Sequence, residues 1–346
     1  MDLLKRVHQP LENFLCENRD MSHQPRTDFE PQASLTLDSP VFVIGPLRSG
    51  STLLRLLLDH HPNIHMFGEF EGAVSQARGD QWPDLEDYWR FVKTDRQTGA
   101  MHLQINHALD YPALIEDFLR QLYLRNPQPV IGASIHSRVD LLPRLWPNAR
   151  YIHLYRDPRD VARSCIGMGW VGNVYEGAKI WCEFERRREL LRSREQPGKA
   201  IGVSYEKLVE NPVKELSRLC EFLSQPFEAG MLQLERDTTY SCPSKKYAEQ
   251  WKSKLSKREI RWIELQAAEQ MLVQGYQPVV ENSDPLTLKE KIAIKIQNRV
   301  YRVSYNIKKW GFILWIQHVL SRRTGVRQWI EYVKHKTNTI DRSLLK

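Results

Sequence analysis

The chain has 346 residues, 41% hydrophobic and 27% charged, with 50 Lys+Arg against 42 Asp+Glu for a net charge of +8; that is enough for one large α/β domain or two small ones with a sizeable core. Residues 285–346 hold 14 Lys+Arg and 3 Asp+Glu, a balance of +11, and the residues before them balance at −3, so the basic character belongs to the tail. Five scattered cysteines without a C-x-x-C pair exclude a zinc site and a disulfide framework and point to a reducing compartment. A polar stretch over 1–30 and an apolar run of only Trp310 to Ile316 offer neither a signal peptide nor a membrane span, so the expectation is a cytoplasmic protein, peripheral to a membrane at most through its tail.

Residues 1–38 read as an irregular or partly helical lead-in. From Ser39 the pattern sharpens: Val41 to Ile44 is a β-branched apolar run, the mark of a short buried parallel strand. Gly45-Pro46-Leu47-Arg48-Ser49-Gly50-Ser51-Thr52 breaks it, and Leu53 to Leu58 resumes as an apolar helix. Strand, Gly-containing loop and helix N-terminus bring free backbone N–H groups and the positive end of the helix dipole to one spot, an anion cradle. The loop nearly fits the nucleotide-triphosphate pattern G-x-x-x-x-G-K-(S/T), with Gly45, Gly50 and Thr52 in place. Ser51 stands where the lysine belongs, and the loop's cation is Arg48. A kinase or ATPase built this way would lose a central contact to the β/γ-phosphates.

A second extended segment covers 63–66 and leads into Phe67-Gly68-Glu69. Residues 80–110, aromatic and charged without a clean period, read as a lid or cleft wall rather than core. Leu114, Ile115, Phe118, Leu119 and Leu122 predict an amphipathic helix over 111–124. Pro129 to Ile135 is a third extended run ending at His136, 139–146 a helix, and Tyr151 to Tyr155 a clear strand. The turn Arg156-Asp157-Pro158-Arg159-Asp160 follows, with a helix from about Val161, a long helix over 176–194, a strand over 200–204 and a helix over 208–223 interrupted near Pro212. This alternation predicts an α/β fold, a mostly parallel sheet flanked by helices. Ser256 with Glu259, and Thr287 with Glu290, fit capping boxes opening two further helices, the first ended by Gly275. The main domain is thus 39–280, with a linker at 282–285 and a basic helical extension over 285–346 carrying Ile292, Ile296, Val300 and Val303 on one face.

Arg156 ends a strand and Ser164 lies eight residues on in the following helix; together they could grip a second phosphate through a charge-assisted contact and a hydroxyl. With both stretches in hand, the chain resembles the PAPS-dependent sulfotransferases, whose donor is 3′-phosphoadenosine 5′-phosphosulfate. In that family a P-(R/K)-S-G-(S/T)-(S/T) loop holds the 5′-phosphosulfate, matched here by Pro46 and then Arg48, Ser49, Gly50, Ser51 and Thr52 after a one-residue insertion at Leu47. An R-(D/N)-x-(R/K)-D-V-x-x-S segment holds the 3′-phosphate, matched by Arg156 to Val161 and Ser164. Tyr205-Glu206-Lys207-Leu208 is similar to the family's segment near the adenine. Ser244-Lys245-Lys246, leading into Trp251-Lys252-Ser253-Lys254-Leu255, resembles the late segment that closes over the donor. The resemblance covers roughly 40–275. It implies a P-loop NTPase-like sulfotransferase fold, PAPS as co-substrate, no metal, and sulfuryl transfer to a hydroxyl or amine.

The resemblance offers two candidates for the base. Glu69 is similar to the Gly-Glu base of the protein-tyrosine and many carbohydrate-type members, which the loop sequence also favours; His136 is similar to the catalytic histidine of the cytosolic small-molecule members. The lysine that many members carry on the third strand is missing from Ala133 to Ser137, leaving Arg138 or the 244–246 run to supply its charge. The acceptor is expected to be a hydroxyl-bearing carbohydrate, phenol, tyrosine or lipid-linked group. The basic tail could contact an anionic surface; nucleic acid is disfavoured, and the oligomeric state stays open. A P-loop nucleotide kinase and a non-catalytic nucleotide-binding or membrane-associated scaffold are the alternatives.

Overall fold

A computed structural model describes residues 29–236, 243–280 and 284–344. Most of the lead-in and residues 282 and 283 of the linker lie outside the described residues. Helix α1 (Phe29–Asp38) occupies the end of the lead-in and precedes β1 (Val41–Ile44) and α2 (Ser51–Asp59). Then come β2 (Ile64–Glu69), the single turn α3 (Gly72–Ser75), α4 (Leu85–Thr94), α5 (Arg96–Ala100) and α6 (Tyr111–Arg125). The middle of the chain runs β3 (Val130–Ile135), α7 (Leu142–Leu145), β4 (Arg150–Tyr155), α8 (Pro158–Gly167), α9 (Val174–Arg192), β5 (Ala200–Ser204), α10 (Tyr205–Glu210) and α11 (Pro212–Phe222). After α12 (Trp251–Lys254) and α13 (Lys257–Val273), the extension forms α14 (Leu288–Trp310), α15 (Phe312–Thr324) and α16 (Arg327–Leu344).

The five strands form one all-parallel sheet in the order β2-β3-β1-β4-β5. β1 lies at its centre, and its four side chains are fully buried because both faces are covered. Phe42 and Ile44 pack with Leu114 and Phe118 of α6 on one side. Val41 and Val43 pack with Leu54 and Leu57 of α2 and Leu216 and Leu219 of α11 on the other. This layering sets the carboxyl ends of β1, β2, β3 and β4 side by side, carrying Gly45, Glu69, His136 and Arg156 into one crevice, where parallel sheets place their ligands.

Two local expectations are corrected. Helix α8 starts at Pro158 rather than near Val161: Asp157 caps it by accepting the Arg159 N–H, and Pro158 occupies the first turn, where no N–H is needed. Residues 80–110 are not chiefly a lid, since Tyr88, Val92 and Leu103 are buried in the core and Trp82 stacks on Tyr111 at 5.1 Å. The aromatic side chains of α4 follow a helical period that the flanking charges mask. In α14 the apolar row lies away from the domain, with Ile292, Ile296 and Val300 exposed and Val303 half-buried, and the helix packs through Ile294, Asn298, Tyr301 and Tyr305.

Candidate active site

The crevice opens into a cleft of about 470 Å³. The loop after β1 turns sharply enough that the Ser49 N–H donates to the Pro46 carbonyl at 3.1 Å. Arg48 has φ +70° and Gly50, the N-cap of α2, has φ +96°, a region that favours glycine. A Cβ at Gly50 would stand 2.3 Å from a Tyr205 ring carbon, so the close approach of loop backbone to that ring also requires glycine. Behind the loop Ser49 is fully buried, and its hydroxyl has no partner.

Arg156 ties the separate sequence stretches together. Its guanidinium donates to the Arg48 carbonyl at 3.0 Å and to the Tyr247 carbonyl at 2.9 Å, and it stacks over the Tyr205 ring at 4.1 Å. Arg48 Nε donates to the Ser164 hydroxyl at 3.0 Å, closing a bridge between the two phosphate-type motifs. Glu206 accepts from the Asp157 N–H at 3.0 Å and from the Tyr276 hydroxyl at 2.9 Å, so the carboxylate beside Tyr205 holds the second motif to the chain end of the domain.

Other motif residues are structural. Arg159 is buried and paired with Asp157 at 2.6 Å and Glu264 at 2.9 Å, under Trp251 at 3.6 Å. Asp160 accepts from the Trp251 N–H at 2.8 Å, pinning the 243–255 segment over the cleft. Burial pushes the Asp160 carboxyl up to about 6 against the pull of Arg156.

The two candidate bases meet at the far wall. His136 Nδ1 lies 2.8 Å from the Gly45 carbonyl, which can only accept, so Nδ1 carries a proton and donates it there, leaving Nε2 to face the cleft. Nε2 faces the Ser51 hydroxyl at 3.3 Å and a Glu69 carboxylate oxygen at 3.8 Å. The Gln97 side chain of α5 donates to the other Glu69 oxygen. Behind them Glu71 accepts from the His136 N–H at 2.8 Å and from the Ser137 hydroxyl; burial raises its carboxyl.

The cleft thus gathers Arg48, Gly50, Ser51, Thr52, Glu69, His136, Arg156, Ser164, Tyr205 and Ser244. Lys245 does not join them. Its ammonium pairs with Glu210 at 2.7 Å in a neighbouring depression, because the short helical turn over 245–247 points it outward. Arg138 is also absent, bound to the Ala77 carbonyl at 2.8 Å. The cation that sequence reasoning missed is Arg163, which lines the cleft one residue before Ser164. Arg163 stands at an unspecified position of the Arg156–Ser164 segment, one helical turn after Arg159, and only the packing of α8 shows which of the two faces the cleft. Asp160, Trp170, Tyr247 and Gln250 also line it.

A model of the Sulfotransferase family matches residues 40–229. The chain belongs to the sulfotransferase family. This sulfotransferase is 28% identical over 203 residues to a putative protein-tyrosine sulfotransferase of Caenorhabditis briggsae, covering 56% of the chain and 68% of that relative. It is 28% identical over 211 residues to protein-tyrosine sulfotransferase A of Caenorhabditis elegans, covering 57% of the chain but only 52% of that relative. A Mycobacterium bovis omega-hydroxy-beta-dihydromenaquinone-9 sulfotransferase is 25% identical, with 54% and 63% covered. Among solved structures, the sulfotransferase domain of the Synechococcus PCC 7002 olefin synthase superposes with a TM-score of 0.51 at 19% identity, covering 69% of the chain and 95% of that domain. That likeness shows the fold. The family match places the chain with the sulfotransferases rather than with the nucleotide kinases that the Gly45–Thr52 spacing also suggests.

Proposed function

We propose that this sulfotransferase moves the sulfuryl group of PAPS onto an acceptor hydroxyl, with Glu69 taking the hydroxyl proton beside His136. The observation that carries this reading is the convergence at the cleft: Arg156 joins the β1 loop, the second motif and Tyr205 at one end, and Glu69 and His136 Nε2 stand 3.8 Å apart at the other. The residues suit a bisphosphate nucleotide, offering two anion grips around one aromatic face. The loop N–H groups with Arg48 form the first grip, and Arg156 with Ser164 the second.

Transfer breaks the sulfur–oxygen bond to the leaving phosphate and makes one to the acceptor oxygen. Negative charge grows at the leaving oxygen, and the acceptor gives up a proton. Arg48 and the start of α2 stand against the first change. Glu69 and His136 Nε2 both face the gap where the acceptor hydroxyl would give up its proton, which meets the second. Arg163 supplies the cation that the third strand lacks. The half-exposed Trp170 and Tyr247 at the rim favour an acceptor with an aromatic, sugar or lipid-linked body. The described cysteines, Cys165, Cys182 and Cys220, are free thiols, which supports a cytoplasmic protein.

Calorimetry with 3′-phosphoadenosine 5′-phosphate and with ATP tests the donor; binding of ATP alone would sink the reading. Transfer from labelled PAPS to a panel of phenols, sugars and lipid alcohols, read by mass, tests the acceptor. Glu69→Gln is expected to slow transfer by about 10²–10⁴-fold. Because the two groups face the same gap, adding His136→Gln to Glu69→Gln should cost much less than it does alone.

A further inference from the structure

The basic extension is not a loose tail. Its first helix presses on the turn between α8 and α9: the Asn298 side chain accepts from the Gly172 N–H at 2.6 Å, and the Tyr301 hydroxyl donates to the Ile166 carbonyl at 3.1 Å. A Cβ at Gly172 would lie 2.7 Å from the Asn298 backbone, so the turn is shaped for this helix. That turn carries Trp170 of the cleft wall. The last helix docks at the other side of the domain, where Asn338 donates to the Thr94 carbonyl at 3.0 Å, and Asp341 ties it back to Lys309 at 2.7 Å.

With α14 held by one face, its opposite face is left bare. Leu288 (73% exposed), Ile292 (49%), Ile296 (58%) and Val300 (62%) follow one another at four-residue spacing along it. Phe312 and Ile313 continue the exposed apolar surface at the start of α15. Lys289, Lys295 and Arg299 fall within or beside the row at 100° per residue, are exposed, and form no ion pair among the described residues. The nearest acid, Glu290, is turned to the domain and held by Arg261 at 3.0 Å.

We propose that α14, with the start of α15, seats on an anionic lipid surface through this row. An apolar stripe bordered by unpaired cations is the pattern of a helix lying in a membrane interface, where side chains enter the acyl boundary and cations meet headgroups. A second copy of the chain fits poorly, since it would bring two faces of an extension balanced at +11 together. Nucleic acid would use the cations but gain nothing from the aliphatic row. The proposal is independent of donor and acceptor.

The test is sedimentation of the full chain with two kinds of vesicle, phosphatidylcholine alone and phosphatidylcholine with roughly one-third phosphatidylserine. Binding should be about tenfold or more tighter to the anionic vesicles and weaken with salt. The triple variant Ile292→Glu, Ile296→Glu, Val300→Glu touches only exposed positions; its melting curve checks the fold, and its vesicle binding should fall by about a hundredfold. Equal binding to both vesicles, or an unchanged triple variant, overturns the proposal. So does absence of vesicle binding together with dimers in light scattering or with capture on a single-stranded oligonucleotide.

Discussion

The donor clamp and the C-terminal extension are both rich in cations, and they use them in opposite ways. In the clamp the arginines have fixed partners, most of them from distant parts of the chain: Arg156 reaches residues 48, 205 and 247, and Arg159 pairs with neighbouring Asp157 and distant Glu264. In the extension Lys289, Lys295 and Arg299 face water beside bare isoleucines. A positive charge surrounded by fixed acceptors orders the protein or grips a bound anion, whereas one left among exposed apolar groups waits for a partner outside the chain. Composition counts the two alike.

The comparison can be broken at four points. The largest effect is expected from Arg48→Ala, which removes the loop's cation and its bridge to Ser164. Turnover should fall by about 10²–10³-fold in a single-turnover assay with labelled PAPS, with little change in melting temperature. Next comes Glu264→Ala, which leaves the buried Arg159 with Asp157 as its remaining carboxylate partner and strands the Val279 and Val280 N–H groups. Chemical denaturation should show a loss of about 3 kcal/mol.

The third point is pH. Asp160 holds its proton up to about 6, against 3.8 for an ordinary aspartate, because it is buried. Between those values the folded chain binds a proton that the unfolded chain has released. Stability from this group is therefore greatest at the acid end and declines as pH rises through 6, by at most on the order of 3 kcal/mol. In Asp160→Asn the side-chain carbonyl still accepts from Trp251, and that part of the decline should vanish from melting curves taken across the window. A variant that keeps the wild-type profile would remove Asp160 from the account. The smallest effect belongs to the extension: Lys295→Ala should shift stability by no more than about 0.5 kcal/mol and leave transfer to a water-soluble acceptor unchanged.

The sequence alone determined what depends on contiguous residues. The β-branched run at 41–44, the Gly45–Thr52 loop, the Arg156–Ser164 segment and both capping boxes are local patterns, and short-range sterics and hydrogen bonds settle them within one strand, turn or helix. The parallel sheet followed from alternating such units. Only the tertiary structure decided which charges face the cleft. Lys245 and Arg163 have similar sequence credentials, but the turn at 245–247 sends one toward Glu210, and the packing of α8 sends the other inward. It also brought Glu69 and His136, 67 residues apart in the chain, to either side of one gap, since β2 and β3 are neighbours in the sheet. Finally it decided which face of α14 the domain covers. An apolar row shows that a helix has a face with something to cover, but which face the domain takes was set by the space that Gly172 leaves for Asn298, and no periodicity records that.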